Sequence, residues 1–229
     1  MAKSVMVIGL GKLGASVAHT LFQLGYDVLG IDIEEKAVQS NLGKITYSVQ
    51  GDATNETTLK ELGISNFDAA IVAVGSDIQS SLMTSVLLAT LNVPLIIARA
   101  ENQLHGNTLQ RIGVHKIIYP EHEMGEFLAH SLFNPDVLEY MDLTSNFGIS
   151  KIIITDSFLE QSIKDAGLGL GDEERDRVAV LAIKRGKEVT LSPNADELIR
   201  KGDILVVAAK DDQLEKLHSS QLASNSHDS

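Results

Sequence analysis

The chain has 229 residues, enough for one large domain or two modest ones with buried cores. A formal net charge of −12 argues against a nucleic-acid partner, because neutralising a phosphate backbone needs a basic surface. The absence of cysteine excludes disulfides, thiolate nucleophiles and Cys-ligated zinc. No run approaches the ~18 apolar residues of a bilayer span and no signal-peptide pattern appears, so a cytoplasmic protein is expected, with any membrane role exercised through a partner.

In chain order, six short β-rich runs alternate with helix-period stretches through the first 133 residues. The strands are "SVMVIG" (4–9), "DVLGID" (27–32), "ITYSVQGD" (45–52), "AAIVAVG" (69–75), "LIIARA" (95–100) and "KIIYP" (116–120). Most are apolar without alternation, the mark of parallel strands covered on both faces. Helices fit at 12–24, 34–41, 55–63, 78–91, 102–112 and 122–133. The alternation predicts an α/β, Rossmann-like, doubly wound parallel sheet. Asn134-Pro135 stops the last helix, and 134–142 reads as a linker.

A small α+β domain is expected over 143–218. It reads as a strand at "ISKIIIT", a helix at "SFLEQSIKDAGL" and a hairpin turning at Arg185-Gly186-Lys187. A second helix at "NADELIRKGD", the strand "ILVVAAK" and a last helix at "DDQLEKLH" complete it. The polar tail, 219–229, is expected to be disordered.

Gly9-Leu10-Gly11-Lys12-Leu13-Gly14 is a GxGxxG between the first strand and the first helix. Glycines there permit a tight turn and close approach of backbone to a diphosphate on the helix N-terminus. Asp32 ends the next strand, 18 residues after Gly14, where an acid binds ribose hydroxyls and repels a 2′-phosphate. Ile33 follows it. Further loops at carboxyl ends of strands, where open α/β sheets hold ligands, carry Asp52-Ala53-Thr54, Ala73-Val74-Gly75 and Arg99. Asp52 suits either the adenine amine or the N-cap of the helix near Thr54, and Asp77 suits an N-cap. Arg99 is a cation for phosphates. Lys12 hints at a mononucleotide polyphosphate, or at a neighbouring subunit's ligand.

The equipment for catalysis is missing. None of the seven histidines sits in a recognisable motif, and no HExxH, GxSxG or GxxxxGK[ST] occurs. A binding site without an acid–base pair points to sensing rather than turnover. An NAD-dependent oxidoreductase is the rival from another class.

Taken together, "VIGLGKLGASVAHTL", "VLGIDI", "GDAT", "AAIVAVGSDIQSSLMT", "GVHKIIYPEHEMG", "VLAIKRG", "LSP" and "GDILVV" resemble the regulatory subunits of Trk/Ktr-type potassium transporters. Those subunits join an RCK (regulator of conductance of potassium) N-terminal domain to an RCK C-terminal domain. The resemblance implies an RCK N-terminal domain over 1–133. It also implies dimers assembled into an octameric ring beneath a membrane potassium-translocating subunit of the Trk/Ktr/HKT type. ATP would favour the conducting state and ADP the closed one, while some Trk relatives respond to NAD(H) as redox sensors. The same resemblance makes 122–141 a crossover helix and gives Glu121 a place beside Mg2+ or another divalent cation at the phosphates. Lys12 stands where close relatives carry arginine, keeping the charge and losing the bidentate fork. In relatives the C-terminal domain binds cyclic di-AMP. Val180, Leu181 and Pro193 fall in that region here, Ala179 replaces the expected asparagine, and neither Arg175 nor Arg177 aligns.

Overall fold

Alternate residues of the first strand enter two different cores. In β1 (Ser4–Ile8), Met6 and Ile8 join one buried cluster while Val5 and Val7 join another. A strand alternates its side chains between faces, so a run apolar at every position must be covered on both. In this computed structural model the described residues are 3–75, 77–132, 137–144, 146–154, 158–168, 178–210, 212–214 and 216–217. They fall into two units, Met1–Pro120 and Glu121–Ser229.

The first unit adds α1 (Lys12–Gln23), β2 (Asp27–Asp32), α2 (Glu35–Asn41), β3 (Tyr47–Gln50), α3 (Glu56–Glu61) and β4 (Ala69–Val72). It continues through α4 (Ile78–Thr90), β5 (Ile96–Arg99), α5 (Gln103–Arg111) and β6 (Lys116–Ile118). All five strand pairings are parallel, in the order β3-β2-β1-β4-β5-β6. Ala18 of α1 and Val38 of α2 pack on one face, and Leu59, Leu88 and Leu109 of α3, α4 and α5 on the other. This is the expected doubly wound sheet. Its strand order reverses between β1 and β4, where such sheets open a crevice.

The second unit opens with α6 (Pro120–Ser131 by its helical bounds), followed by β7 (Val137–Thr144), β8 (Phe147–Ile153), β9 (Ala179–Arg185), β10 (Glu188–Leu191) and β11 (Ile204–Lys210). The five strands form an antiparallel sheet in the order β10-β9-β11-β8-β7. Burial alternates along β8 and β11, and Ile152, Leu205 and Val207 lie on the buried face.

Three expectations change here. Most of the segment read as a linker is β7, an edge strand of this sheet. The helices expected over 157–168 and 194–203 are replaced by turns that pair with each other. Ser162 and Leu198 form a bridge, Ile163 N–H donates to the Glu197 carbonyl at 3.0 Å, and Ile199 N–H donates to the Gln161 carbonyl at 2.9 Å. Arg185 binds this structure down: Nε and Nη2 donate to Asp203 at 2.9 and 2.8 Å, Nη1 to Glu197 at 3.1 Å, and Nη2 to the Leu198 carbonyl at 2.9 Å. Pairing across the unit supplies the backbone bonds that a helix would otherwise make. The hairpin at 185–187 forms as read, and residues 212–214 and 216–217 are helical. Asn134-Pro135, Arg175, Arg177 and the tail 219–229 lie outside the described residues.

Candidate functional site

The glycine turn is built for close backbone approach. Gly9 has φ +89°, a conformation side chains rarely adopt, and its N–H donates to the Ile31 carbonyl at 2.8 Å. Gly14 lies in the first turn of α1, where a Cβ would overlap the Gly9 carbonyl oxygen and sit 3.1 Å from Ala73 Cβ. That turn carries no acidic residue, so the helix N-terminus keeps its positive end unopposed. Asp32 is locked beside it: Oδ2 accepts from Leu10 N–H at 2.6 Å and Oδ1 from Glu34 N–H at 2.8 Å. One hydrogen bond therefore ties the acid of β2 to the glycine turn of β1.

Over these elements lies a cavity of ≈ 340 Å³. Gly9, Gly11, Asp32, Ile33, Asp52, Ala53, Thr54, Ala73, Val74 and Gly75 line it, as the sequence leads one to expect. Its apolar floor includes Ile8 and Ile31, and Gly51, Asp77, Ser80 and Thr84 complete the wall. Thr84, on α4, is 1% exposed. Its spacing from Ser80, one helical turn, is the signal that both face the crevice.

Asp52 does not cap α3. Its Oδ1 accepts from Thr54 N–H at 2.8 Å and from Thr54 Oγ1 at 2.6 Å, closing a local turn, while Asn55 is the cap and accepts from Thr57 N–H at 2.9 Å. Asp77 does cap α4, accepting from Ser80 N–H at 3.0 Å and Ser80 Oγ at 2.6 Å. Those bonds from Ser80 hold its carboxyl below the usual carboxylate range.

Five residues of the predicted nucleotide set lie outside the cavity lining. The Leu10 side chain is buried against Gly30, and only its N–H faces Asp32. Leu13 is half-buried and Gly14 lies beneath the turn. Lys12 is exposed and borders a shallow groove between α1 and α2 with Lys36 and Lys44. Arg99 ends β5 with its guanidinium against Gly75. In the second unit Glu121 is exposed in the first turn of α6. Leu181 is exposed and its carbonyl accepts from Ser192 N–H at 2.9 Å, next to Pro193, whereas Val180 turns into the core.

The histidines with resolved bonds in the first unit serve structure. His115 Nδ1 accepts from Ile96 N–H at 3.0 Å, and His19 Nε2 meets Asn41 Oδ1 at 2.7 Å. His105 is buried and its Nδ1 accepts from Glu101 N–H at 3.3 Å; burial pushes its pKa below the ordinary histidine value, with Glu101 opposing. No group of three or more His, Asp or Glu side chains able to hold a metal occurs among the described residues. No described helix is long and apolar enough to cross a membrane.

The TrkA-N domain family matches residues 5–120, and the TrkA-C domain family matches 153–220. The chain belongs to the TrkA-N domain family and carries a TrkA-C domain after it. Ktr system potassium uptake protein A of Bacillus subtilis (strain 168) is 38% identical over 205 residues, covering 90% of this chain and 90% of that protein. Ktr system potassium uptake protein C of the same organism is 36% identical over 207 residues, covering 90% and 92%. Among solved structures, the GsuK channel matches with a TM-score of 0.65 at 15% identity, covering 96% of this chain and 40% of that longer one. The same channel solved with NAD bound matches at 0.52 and 19% identity, covering 97% of this chain and 39% of that one. At such identity these structural likenesses speak for the fold alone.

Proposed function

We propose that this protein is a cytoplasmic, nucleotide-sensing regulatory subunit of a potassium transporter, acting without catalysis on a separate membrane protein that conducts the ion. The single observation that carries the nucleotide reading is Asp32, held by Leu10 N–H and Glu34 N–H at the mouth of the cavity beside the α1 N-terminus. A carboxylate for ribose hydroxyls beside donors for phosphate is the chemistry of an adenine nucleotide. Family membership and the names of the Ktr relatives support the link to potassium uptake.

We read the ligand as ATP or ADP, with NAD(H) as the alternative. Gly9, Gly11 and the first turn of α1 would take the phosphates, Asp32 and Ile33 the ribose, and Asp52, Ala53 and Thr54 the adenine. Lys12 would serve the phosphates of a neighbouring subunit, in a homo-oligomer of dimers forming an octameric ring. Glu121 would join a divalent cation bridged mainly by phosphates, which suits a hard ion such as Mg2+ that keeps most of its water. Val180, Leu181 and Pro193 mark the region where a second, cyclic dinucleotide ligand would sit. Residues 1–133 would be the sensing domain and 143–218 the regulatory one. For gating, the two nucleotides must favour the two ring states unequally, since equal affinity shifts nothing.

Calorimetric titration of purified protein with ATP, ADP, NAD and NADH, with and without Mg2+, tests this. ATP and ADP are expected to bind, and Asp32→Ala to weaken both at least tenfold, about 1.4 kcal/mol. NADH binding with no measurable ATP or ADP affinity would sink the ATP/ADP assignment and favour a redox sensor.

A further inference from the structure

The cavity of the first unit stops short of the last two strands of its sheet. It is lined from the carboxyl ends of β1, β2, β3 and β4 and from α4, and none of its described lining residues belongs to β5, β6 or α5. A dinucleotide laid across a sheet of this strand order uses both halves: one nucleoside sits over the strands on each side of the switch between β1 and β4. Here the cavity crosses that switch only as far as the loop after β4 and the first turns of α4. Beyond that loop stands Arg99, the last residue of β5, whose guanidinium lies on Gly75. A Cβ at Gly75 would overlap Arg99 Nη1 and lie 3.1 Å from Cζ, so the missing side chain at 75 is what admits the guanidinium. Gly75 itself lines the cavity, so the guanidinium, although not part of the lining, lies directly behind its β4 end.

We propose that Arg99 sets the length of ligand this site accepts, selecting nucleoside di- and triphosphates over dinucleotides. The inference rests on the reading of the cavity as an adenine-nucleotide site and goes beyond it by naming the residue that discriminates. A terminal phosphate brings negative charge toward a planar, permanently charged fork suited to phosphate oxygens. A dinucleotide brings an uncharged ribosyl group to the same place. To enter, that group must move the guanidinium off Gly75, and being uncharged it offers no charge-assisted hydrogen bond in return.

The test is a ligand series on the full-length wild-type protein: AMP, ADP, ADP-ribose and NAD, titrated at one ionic strength. Affinity is expected to rise from AMP to ADP and to fall at least tenfold from ADP to ADP-ribose and to NAD. Arg99→Ala should weaken ADP and strengthen ADP-ribose, narrowing their ratio tenfold or more. Wild-type protein that binds ADP-ribose as tightly as ADP overturns the proposal, whether or not the variant folds. So does a folded Arg99→Ala protein with an unchanged ratio. Failure of every adenine nucleotide to bind, or indifference to Asp32→Ala, would instead bring down the nucleotide reading itself.

Discussion

Asp32 ends β2 and Asp52 follows β3 by two residues, and their neighbours give them different work. Asp32 is held by backbone donors from two separate segments, Leu10 and Glu34, so its position is set by the tertiary fold. Asp52 is held by Thr54 alone, two residues away, in a turn that any Asp-x-Thr can form. Substitution at 52 should therefore disturb local geometry, while substitution at 32 also frees the glycine turn. His105 is the residue with a pH consequence. Its folded pKa lies below the ordinary value of about 6.5, so the unfolded chain binds the proton more readily. The stability contributed by neutral His105 is complete above about pH 6.5 and drains away as pH falls below it. Urea unfolding at pH 7.5 and pH 5.5 should show a larger loss for wild type than for His105→Asn. Equal losses would mean that this imidazole does not govern the acid side of the profile.

At the level of elements, the chain marks its helix starts with short polar side chains. Asn55, Asp77 and Asn102 each accept from a backbone N–H of the first turn, as caps must when a helix begins with unpaired donors. In α4, Ser81, Thr84 and Ser85 share the buried face with Leu88, while Met83 and Val86 are exposed. In the second unit the decisive element is the Arg185–Asp203 fork, which joins β9 to the turn ahead of β11. The Asp203 side chain is 1% exposed against 31% for that of Arg185. Burial alone would raise the Asp203 carboxyl, but the hydrogen bonds from Arg185 and Arg200 bring it below the usual range. Arg185→Ala strands that carboxylate. It should cost about 3 kcal/mol, the low end for a broken buried pair, because Arg200 N–H still donates at 3.0 Å. Chemical denaturation with hydrogen exchange on β9 and β11 measures it, and Arg185→Lys should not restore the loss, since an ammonium lacks the fork. A change under 0.5 kcal/mol would make the network an ornament of the surface.

For the whole molecule, two units with separate cores make a single unfolding free energy a poor description. A ligand bound in the first unit should raise that unit's transition. At a hundredfold excess over Kd, ADP should add about 2.7 kcal/mol to it and leave the other transition where it was. Scanning calorimetry decides this, and an equal shift of both transitions would show that ligand energy is shared across the chain. The first unit was legible in the sequence because its signals are local. Apolar strand runs, the spacing Gly9-Gly11-Gly14 and an acid closing β2 all lie within a few dozen residues, and each obeys the geometry of one strand–turn–helix unit. The second unit was less so. Segments 158–168 and 194–203 have helical spacing, but their backbone bonds go to each other, and nothing local announces a partner that distant in the chain. By itself the sequence determined the parallel sheet, the glycine turn and the acid of the candidate site. Only the tertiary structure decided where Lys12 stands, that Thr84 and Ser80 complete the wall, and that Arg99 rests on Gly75. Those facts depend on which strands and helices become neighbours, a matter of packing between remote residues that no short-range periodicity encodes.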